Sequence, residues 1–236
     1  MIETERLVLR PFRESDAADV LEYLRKPAVN CFACMKLDSL KAARGEMKRR
    51  AKDELYLAIA LKESGKVIGE IFAHPEGTDP EDEVMDTFSP CWMLNLKYTG
   101  MGYAYEAAHA YFDYLFREKG ARRIYAYTED YNIPSQRLCE RLGMRREGLF
   151  MEFVSFINNP DGTPHYENTV QYAILKKDML FVNYEAPDGS KRHNRLWNGG
   201  NGFGTVKLYE KRNGQLELVD EIEATHIGCE YGEYAE

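Results

Sequence analysis

The sequence lacks the features that mark membrane and exported proteins. Within its 236 residues there is no run of 18 consecutive apolar residues, which is about the length that a transmembrane helix requires. The N-terminus, MIETERLVLR, carries charged residues where a signal peptide would have its apolar segment. We therefore expect a cytoplasmic protein that does not enter a membrane.

Basic residues and cysteines are also sparse. Lys and Arg total 31 against 39 Asp and Glu, a formal net charge of −8, which argues against the broad basic surface of a nucleic-acid-binding protein. Five cysteines, an odd number, do not suggest a disulfide framework. Cys31 and Cys34 form a C-x-x-C pair, but further zinc ligands at suitable spacing are lacking. We predict reduced thiols and no metal site.

Hydrophobic residues make up 44% of the chain, which is enough for a substantial core. Their periodicity predicts elements in the order βααβββαβαββ up to about residue 177. The predicted strands are 6–10, 55–61, 66–74, 89–95, 123–129, 149–157 and 168–176, and the predicted helices are about 15–25, 39–52, 104–120 and 132–143. This order predicts an α/β (or α+β) fold with a central mixed β-sheet flanked by helices.

The composition changes after about residue 178. The run NRLWNGGNGFG is rich in glycine and asparagine, and two alternating runs then flank Asn213-Gly214, a strong hairpin signal. We therefore predict a main domain over 1–178 and a small β-rich appendage over 179–236 that carries no catalytic motif. A cover for the active site, a contact in a homodimer and a surface for another partner are alternative roles for this appendage.

The stretch KYTGMGYAYEA, residues 97–107, places two glycines between a predicted strand and a predicted helix. Glycine permits positive φ and close approach of a ligand to the backbone. The N–H groups of the first helical turn have no intrahelical acceptor and carry the positive end of the helix dipole, so such a loop suits a pyrophosphate. The alternative is an ordinary tight turn. The candidate contacts are Lys97, Thr99, Gly100, Met101, Gly102, Tyr103 and Ala104.

Two common phosphate-binding loops match this stretch poorly. A Walker A motif is absent, and the third glycine of a Rossmann fingerprint is replaced by Tyr105. Glu129, at the end of the next predicted strand, stands where a dinucleotide-binding fold has its ribose-binding acid. A nucleotide-dependent oxidoreductase is therefore retained as a less favoured alternative.

Several motifs together resemble the GCN5-related N-acetyltransferase (GNAT) family, and within it the ribosomal-protein N-terminal acetyltransferase branch. The family signature [RQ]-x-x-G-x-[GA] is similar to residues 97–102, where Lys97 replaces Arg or Gln. The runs NIPSQRLCERLG, TERLVLRPFRESDA and QYAILKKD also resemble this branch. The resemblance covers about residues 3–177.

The resemblance implies the acyl-CoA N-acyltransferase fold and acetyl-CoA as co-substrate. It implies that the pyrophosphate lies on residues 100–104 and that the pantetheine runs beside the backbone of Met93 and Leu94. Asn132 matches the asparagine that hydrogen-bonds the CoA arm, although a helix cap is a competing role for it. The implied acceptor is an amine, either a small molecule or a protein N-terminus, which attacks acetyl-CoA directly in a ternary complex.

The catalytic residues follow from the same resemblance. Many members protonate the thiolate leaving group with a tyrosine, but this chain has Cys139 there, and Ser135 is the implied substitute. Glu152 lies near the position of a glutamate base but is displaced by two residues, a shift that preserves the face of a regular strand. Glu70 is the alternative base, with His74 expected on its face, and a water-relayed base is a third possibility. A non-catalytic acyl-CoA sensor of the same fold is the alternative function.

Overall fold

The computed structural model describes residues 1–77, 84–185, 191–197, 204–212 and 215–224, and side chains are described up to residue 177. Cys229 and the turn at Asn213-Gly214 lie outside these residues. The chain divides into two compact units, Met1–Ile174 and Leu175–Glu236. The predicted division after residue 178 lies four residues from this one.

The first unit is an eight-stranded sheet flanked by helices, with strand order β1-β2-β3-β4-β5-β6-β8-β7. The strands are β1 (Ile2–Glu3), β2 (Leu7–Pro11), β3 (Leu57–Leu61), β4 (Val67–Glu76), β5 (Thr87–Leu94), β6 (Arg123–Glu129), β7 (Arg145–Asn158) and β8 (Pro164–Leu175). The helices are α1 (Ala17–Leu24), α2 (Leu40–Arg50), α3 (Tyr103–Arg117) and α4 (Ile133–Arg141). The predicted α/β class with a mixed sheet is confirmed.

The parallel pair β5 and β6 opens a wedge in the middle of the sheet. Strands β1 to β5 follow one another in antiparallel order, whereas β5 and β6 run parallel. The two strands pair at Thr87↔Arg123 and Phe88↔Ile124, which are at their N-terminal ends. Their C-terminal ends, at Leu94 and Glu129, therefore separate and leave space between two sheet strands.

Helix α3 follows β5 and carries the apolar stripe that the sequence predicts. Its buried residues are Ala107, Ala108, Tyr111, Phe112, Leu115 and Phe116, which recur at helical spacing along one face. Phe112 contacts Trp92 of β5, with ring centroids 6.4 Å apart. This packing fixes the N-terminal end of α3 directly after the end of β5.

The last two strands of the first unit begin earlier than predicted. Strand β7 begins at Arg145 and β8 at Pro164, rather than at 149 and 168. Register shifts interrupt the β7–β8 pairing at three places, so the period-2 pattern is broken where the strands extend. Strand β1 was not predicted because its two residues are too few to show any alternation.

Gly69 of β4 packs against the edge of β5 that is opposite the wedge. A Cβ at this position would lie 2.4 Å from the carbonyl oxygen of Met93 and 2.5 Å from Leu94 Cδ2. The antiparallel register places Gly69 opposite Leu94, so no side chain fits between the two strands. The glycine thus allows β4 to approach the part of β5 that borders the wedge.

We expect Gly69→Ala to lower the free energy of unfolding by about 1–3 kcal/mol, because β5 must move to relieve the overlap. Urea denaturation measures the change. Gly45→Ala in the exposed part of α2 is the matched control, since a Cβ there meets nothing within 4 Å. The control is expected to raise stability by about 0.5–1 kcal/mol. Equal effects of the two substitutions would contradict the close approach.

The second unit contains two antiparallel strand pairs. Strand β9 (Met179–Glu185) pairs with β10 (Lys191–Trp197), and β11 (Gly204–Arg212) pairs with β12 (Gln215–Ala224). The pairing Arg212↔Gln215 confirms the predicted hairpin around residues 213–214. In the part of the chain that the structure describes, no helix is long and apolar enough to cross a bilayer.

Candidate active site

The glycine loop leads from the end of β5 into the first turn of α3. Gly100 has φ 78° and Gly102 has φ 85°, so both occupy the left-handed region that favours glycine. Gly102 is the N-cap residue of α3. The N–H groups at this end of α3 lack intrahelical acceptors and point out of the helix. The loop therefore has the two positive-φ glycines before a helix N-terminus that the spacing predicts.

Arg6 holds this loop in place, a contact that the sequence analysis missed. Its Nη1 donates to the carbonyl of Met101 at 3.0 Å, and its Nε donates to Glu106 at 2.7 Å. The guanidinium also lies 4.5 Å from the ring centroid of Tyr103. Burial acts to raise the pKa of Glu106, but hydrogen bonds from Thr4 and Arg6 outweigh it and lower that pKa. The Glu106 carboxylate therefore stays charged as an anchor for Arg6.

The two predicted side-chain contacts of the loop differ in their availability. The Lys97 side chain is 73% exposed, and its Nζ lies 3.4 Å from a Glu22 oxygen. The Thr99 hydroxyl donates to the carbonyl of Leu96 at 2.8 Å and so stabilises the turn before Gly100. Lys97 is therefore exposed and paired with Glu22, whereas Thr99 shapes the backbone of the loop.

Asn132 and Ser135 lie at the start of α4, across the wedge from β5. Asn132 is the N-cap of α4, with Oδ1 accepting from the Ser135 N–H at 3.4 Å. Its Nδ2 donates to Glu129 Oε2 at 3.1 Å. The helix-cap role of Asn132, one of the two roles considered, is thus present. The same bonds fix the start of α4 relative to the end of β6.

Trp92 connects β5 to Ser135. The indole Nε1 donates to Ser135 Oγ at 3.2 Å. Because an indole N–H can only donate, the serine oxygen is the acceptor in this bond and its own O–H remains able to donate elsewhere. Nearby Cys139 is fully buried, and burial raises the pKa of its thiol to about 12. Ser135 is half-buried and is therefore more accessible than Cys139.

Glu70 lies at the centre of a buried network on the side of the sheet that packs against α1 and α2. Its oxygens accept from the hydroxyls of Tyr23 and Tyr56, both at 2.8 Å. Arg50 Nη1 lies 2.5 Å from Glu70 Oε2, and both side chains are fully buried. Burial and the neighbouring Glu70 raise the pKa of both tyrosines. Every Glu70 oxygen is thus engaged within the protein.

Glu152 occupies an irregular part of β7. Pairing with β8 shifts register between Phe150 and Val154, and Glu152 has φ 47°, a positive value. The assumption of unbroken alternation around Glu152 was therefore wrong, because a bulge inserts extra residues here. Its backbone N–H donates to Asn168 Oδ1 at 2.9 Å, and its side chain is exposed. His74 was expected to share a strand face with Glu70. Its side chain is exposed near the C-terminal end of β4, whereas Glu70 is buried.

Residues 6–145 match the family model described as Acetyltransferase (GNAT) domain. This match covers more than half of the chain, from β2 through α4. The chain belongs to the GNAT acetyltransferase family. The enzymes of this family are N-acetyltransferases that take acetyl-CoA as donor. The family match therefore argues against a nucleotide-dependent oxidoreductase.

Relatives of known sequence or structure are similar to this chain over nearly all of the first unit. The uncharacterized N-acetyltransferase YnaD of Bacillus subtilis is 29% identical over 75% of this chain and 98% of its own length. A GNAT-family acetyltransferase structure from Bacillus anthracis is 30% identical, with a TM-score of 0.63 and coverage of 75% and 98%. The ribosomal-protein-S5-alanine acetyltransferase structure from Vibrio fischeri shares the fold, with 18% identity, a TM-score of 0.57 and coverage of 75% and 96%.

The glycine loop and the wedge lie at the same end of β5. The strand ends at Leu94, the loop follows at residues 99–104, and Ser135 at the start of α4 bonds Trp92 of the same strand. Among the residues with described side chains, no cluster of three or more His, Cys, Asp or Glu is arranged to hold a metal ion. The candidate site therefore combines a helix N-terminus with a cleft between two strands.

Proposed function

We propose that the chain transfers the acetyl group of acetyl-CoA to a primary amine by direct attack in a ternary complex. The observation that carries this proposal is the helix end at Gly102, which opens beside a wedge between two parallel strands. A pyrophosphate on the loop would direct the pantetheine arm into the wedge, along the backbone of Met93 and Leu94. The free thiols and the dependence on acetyl-CoA support a cytoplasmic location.

The proposed step forms a bond between the amine nitrogen and the acetyl carbon and breaks the bond between that carbon and sulfur. A backbone N–H of β5 is the proposed donor to the carbonyl oxygen as it becomes an oxyanion. Ser135 donates its proton to the departing thiolate and regains one from the attacking nitrogen, which becomes the amide N–H. The bond from Trp92 holds the serine oxygen in position. In this scheme Ser135 is a catalytic residue and Trp92 a positioning residue.

Of the two predicted bases, the contacts favour Glu152. Protonation of Glu70 would remove the charge that balances buried Arg50, at a large cost in stability. The Glu152 side chain is exposed. Its backbone N–H donates to Asn168, which donates to Asp130 directly after β6, both at 2.9 Å. We propose that the ammonium form of the acceptor loses a proton through water to Glu152. Glu70 instead stabilises the fold through its ion pair with Arg50.

We expect Ser135→Ala to lower kcat about 100-fold, since loss of a positioned proton donor typically costs this much. The KM for acetyl-CoA should change little, because the loop contacts remain. Release of free thiol from acetyl-CoA at saturating amine measures kcat. Trp92→Phe, which removes the bond to Ser135 but keeps the ring, is expected to lower kcat less. An unchanged kcat in Ser135→Ala would overturn the role of the serine.

Initial rates test the reaction as a whole. Acetyl-CoA and a panel of primary amines and N-terminal peptides are varied together, and the acetylated product is identified by its mass. A ternary complex predicts lines that intersect in double-reciprocal plots, whereas a covalent acyl-enzyme predicts parallel lines. Binding of acetyl-CoA without turnover of any amine or peptide would instead support the non-catalytic sensor.

A further inference from the structure

Two buried carboxylates lie on the neighbouring strands β6 and β8, near the open end of the wedge. Glu129 is the last residue of β6 and is 4% exposed, and Glu167 of β8 is 5% exposed. Glu167 accepts from Asn30 Nδ2 and, at 3.2 Å, from the hydroxyl of Tyr131. Glu129 Oε2 accepts from Asn132 at 3.1 Å. These contacts are polar and uncharged.

The charge of this pair is not balanced within the protein. Glu129 Oε1 is buried and has no hydrogen-bond partner in the described part of the chain. No lysine or arginine with a described side chain forms an ion pair with Glu129 or Glu167, and exposed His165 lies 3.9 Å from Glu167. A buried carboxylate without a cation or full hydrogen bonding is unfavourable, so the pair favours binding of a positive charge.

The pKa values of two neighbouring side chains reflect the negative charge of Glu129 and Glu167. Burial, followed by the nearby Glu129 and Glu167 carboxylates, raises the pKa of the Tyr131 hydroxyl. Burial raises the pKa of the Cys31 thiol, and so do a hydrogen bond between this thiol and Glu129 and the negative charge of Glu129. Cys31 comes from the 3-10 segment Asn30–Met35, whereas Tyr131 follows β6. Side chains from two separate segments therefore lie close to the Glu129 and Glu167 carboxylates.

An aromatic cluster continues along the same face of β6. Tyr125 and Tyr127 precede Glu129 at intervals of two residues, so their side chains share its face. The Tyr127 ring lies 5.6 Å from Phe153 and 6.2 Å from Phe150 of β7, and Tyr127 and Phe153 are 44% and 51% exposed. Exposed aromatic rings beside carboxylates attract organic cations.

We propose that the amine acceptor carries a second positive charge, and that Glu129 and Glu167 bind this charge while the aromatic cluster contacts the carbon chain. This proposal rests on the proposed function and specifies its substrate class as a cationic amine, such as a diamine. The second charge would lie at the end of β6, so that the reacting nitrogen enters the wedge towards Ser135.

The test compares 1,4-diaminobutane with 1-aminobutane, which share a primary amine and differ in the second charge. With acetyl-CoA as donor, we expect kcat/KM to be at least about 10-fold higher for the diamine. Glu129→Gln and Glu167→Gln keep the shape of each side chain, and each is expected to reduce this ratio to near 1. Glu54→Gln, at a carboxylate that is 82% exposed, removes one charge elsewhere and should leave the ratio unchanged.

A second readout separates this proposal from the proposed function. Calorimetry of the CoA-saturated chain measures diamine binding whether or not acetyl transfer occurs. Binding that is lost in Glu129→Gln supports the cation site even if neither amine is acetylated, a result that would count against the proposed function alone. Equal kcat/KM for the two amines, or diamine binding that is unchanged in both folded variants, would overturn the cation site.

Discussion

Gly102→Trp is expected to lower the affinity for acetyl-CoA more than 100-fold. Gly102 has φ 85°, and a Cβ there would lie 3.3 Å from Arg6 Nη2. A side chain at the N-cap of α3 would displace Arg6 and project over the N–H groups proposed to bind the pyrophosphate. Because an anion at a helix N-terminus needs direct access to these groups, the bound phosphate would be excluded. Isothermal titration calorimetry measures the loss.

The control for this substitution lies at the other end of the same helix. Gly120 has φ 73°, and a Cβ there meets nothing within 4 Å. Gly120→Trp therefore imposes similar backbone strain, of about 1–2 kcal/mol, without touching the loop. We expect both variants to lose comparable stability but only Gly102→Trp to lose affinity. Equal acetyl-CoA affinity in the two variants would show that the loop is an ordinary turn.

Arg50→Met is expected to lower the free energy of unfolding by about 3–5 kcal/mol, because it leaves the buried Glu70 carboxylate without its cation. Arg50 is fully buried, bonds Glu46 through Nε at 2.8 Å, and lies 4.7 Å from the ring centroid of Tyr56. Methionine fills much of the volume but provides neither charge nor donor. Urea denaturation at neutral pH measures the difference.

The adjacent residue provides the control for the buried ion pair. Arg49 also bonds Glu46, at 2.6 Å, but its side chain is 65% exposed. Arg49→Met should therefore cost less than about 1 kcal/mol. Adding Glu70→Gln to Arg50→Met removes both buried charges and is expected to restore part of the lost stability. A double variant as unstable as the sum of its single variants would contradict direct coupling.

The features predicted from sequence were those encoded over a few residues. The stripe on α3 follows from apolar residues spaced three or four apart, and six residues along it are buried. The glycine turn follows from Gly100 and Gly102, because positive φ is a property of the residue type. The C-terminal hairpin follows from alternation on both sides of a turn dipeptide. In each case the neighbours along the chain are also the neighbours in space.

The features missed depend on residues that are far apart in the sequence. Arg6 and Glu106 are separated by 100 residues, and Glu70 meets Arg50 and Tyr23 from separate helices. Local patterns contain no information on such partners. The strand geometry around Glu152 was predicted wrongly for a different reason, since a strand bulge changes which way a side chain points without changing the composition.

The most direct test of the central claim follows backbone amide resonances by ¹H–¹⁵N NMR during titration with acetyl-CoA. Donation of the loop N–H groups to a pyrophosphate predicts large, saturable shifts at Gly100, Met101, Gly102 and Tyr103, whereas the amide of Gly120 should remain in place. Shifts that cluster on another surface, with the loop resonances unchanged at saturation, would contradict the assignment of this helix end as the acetyl-CoA site.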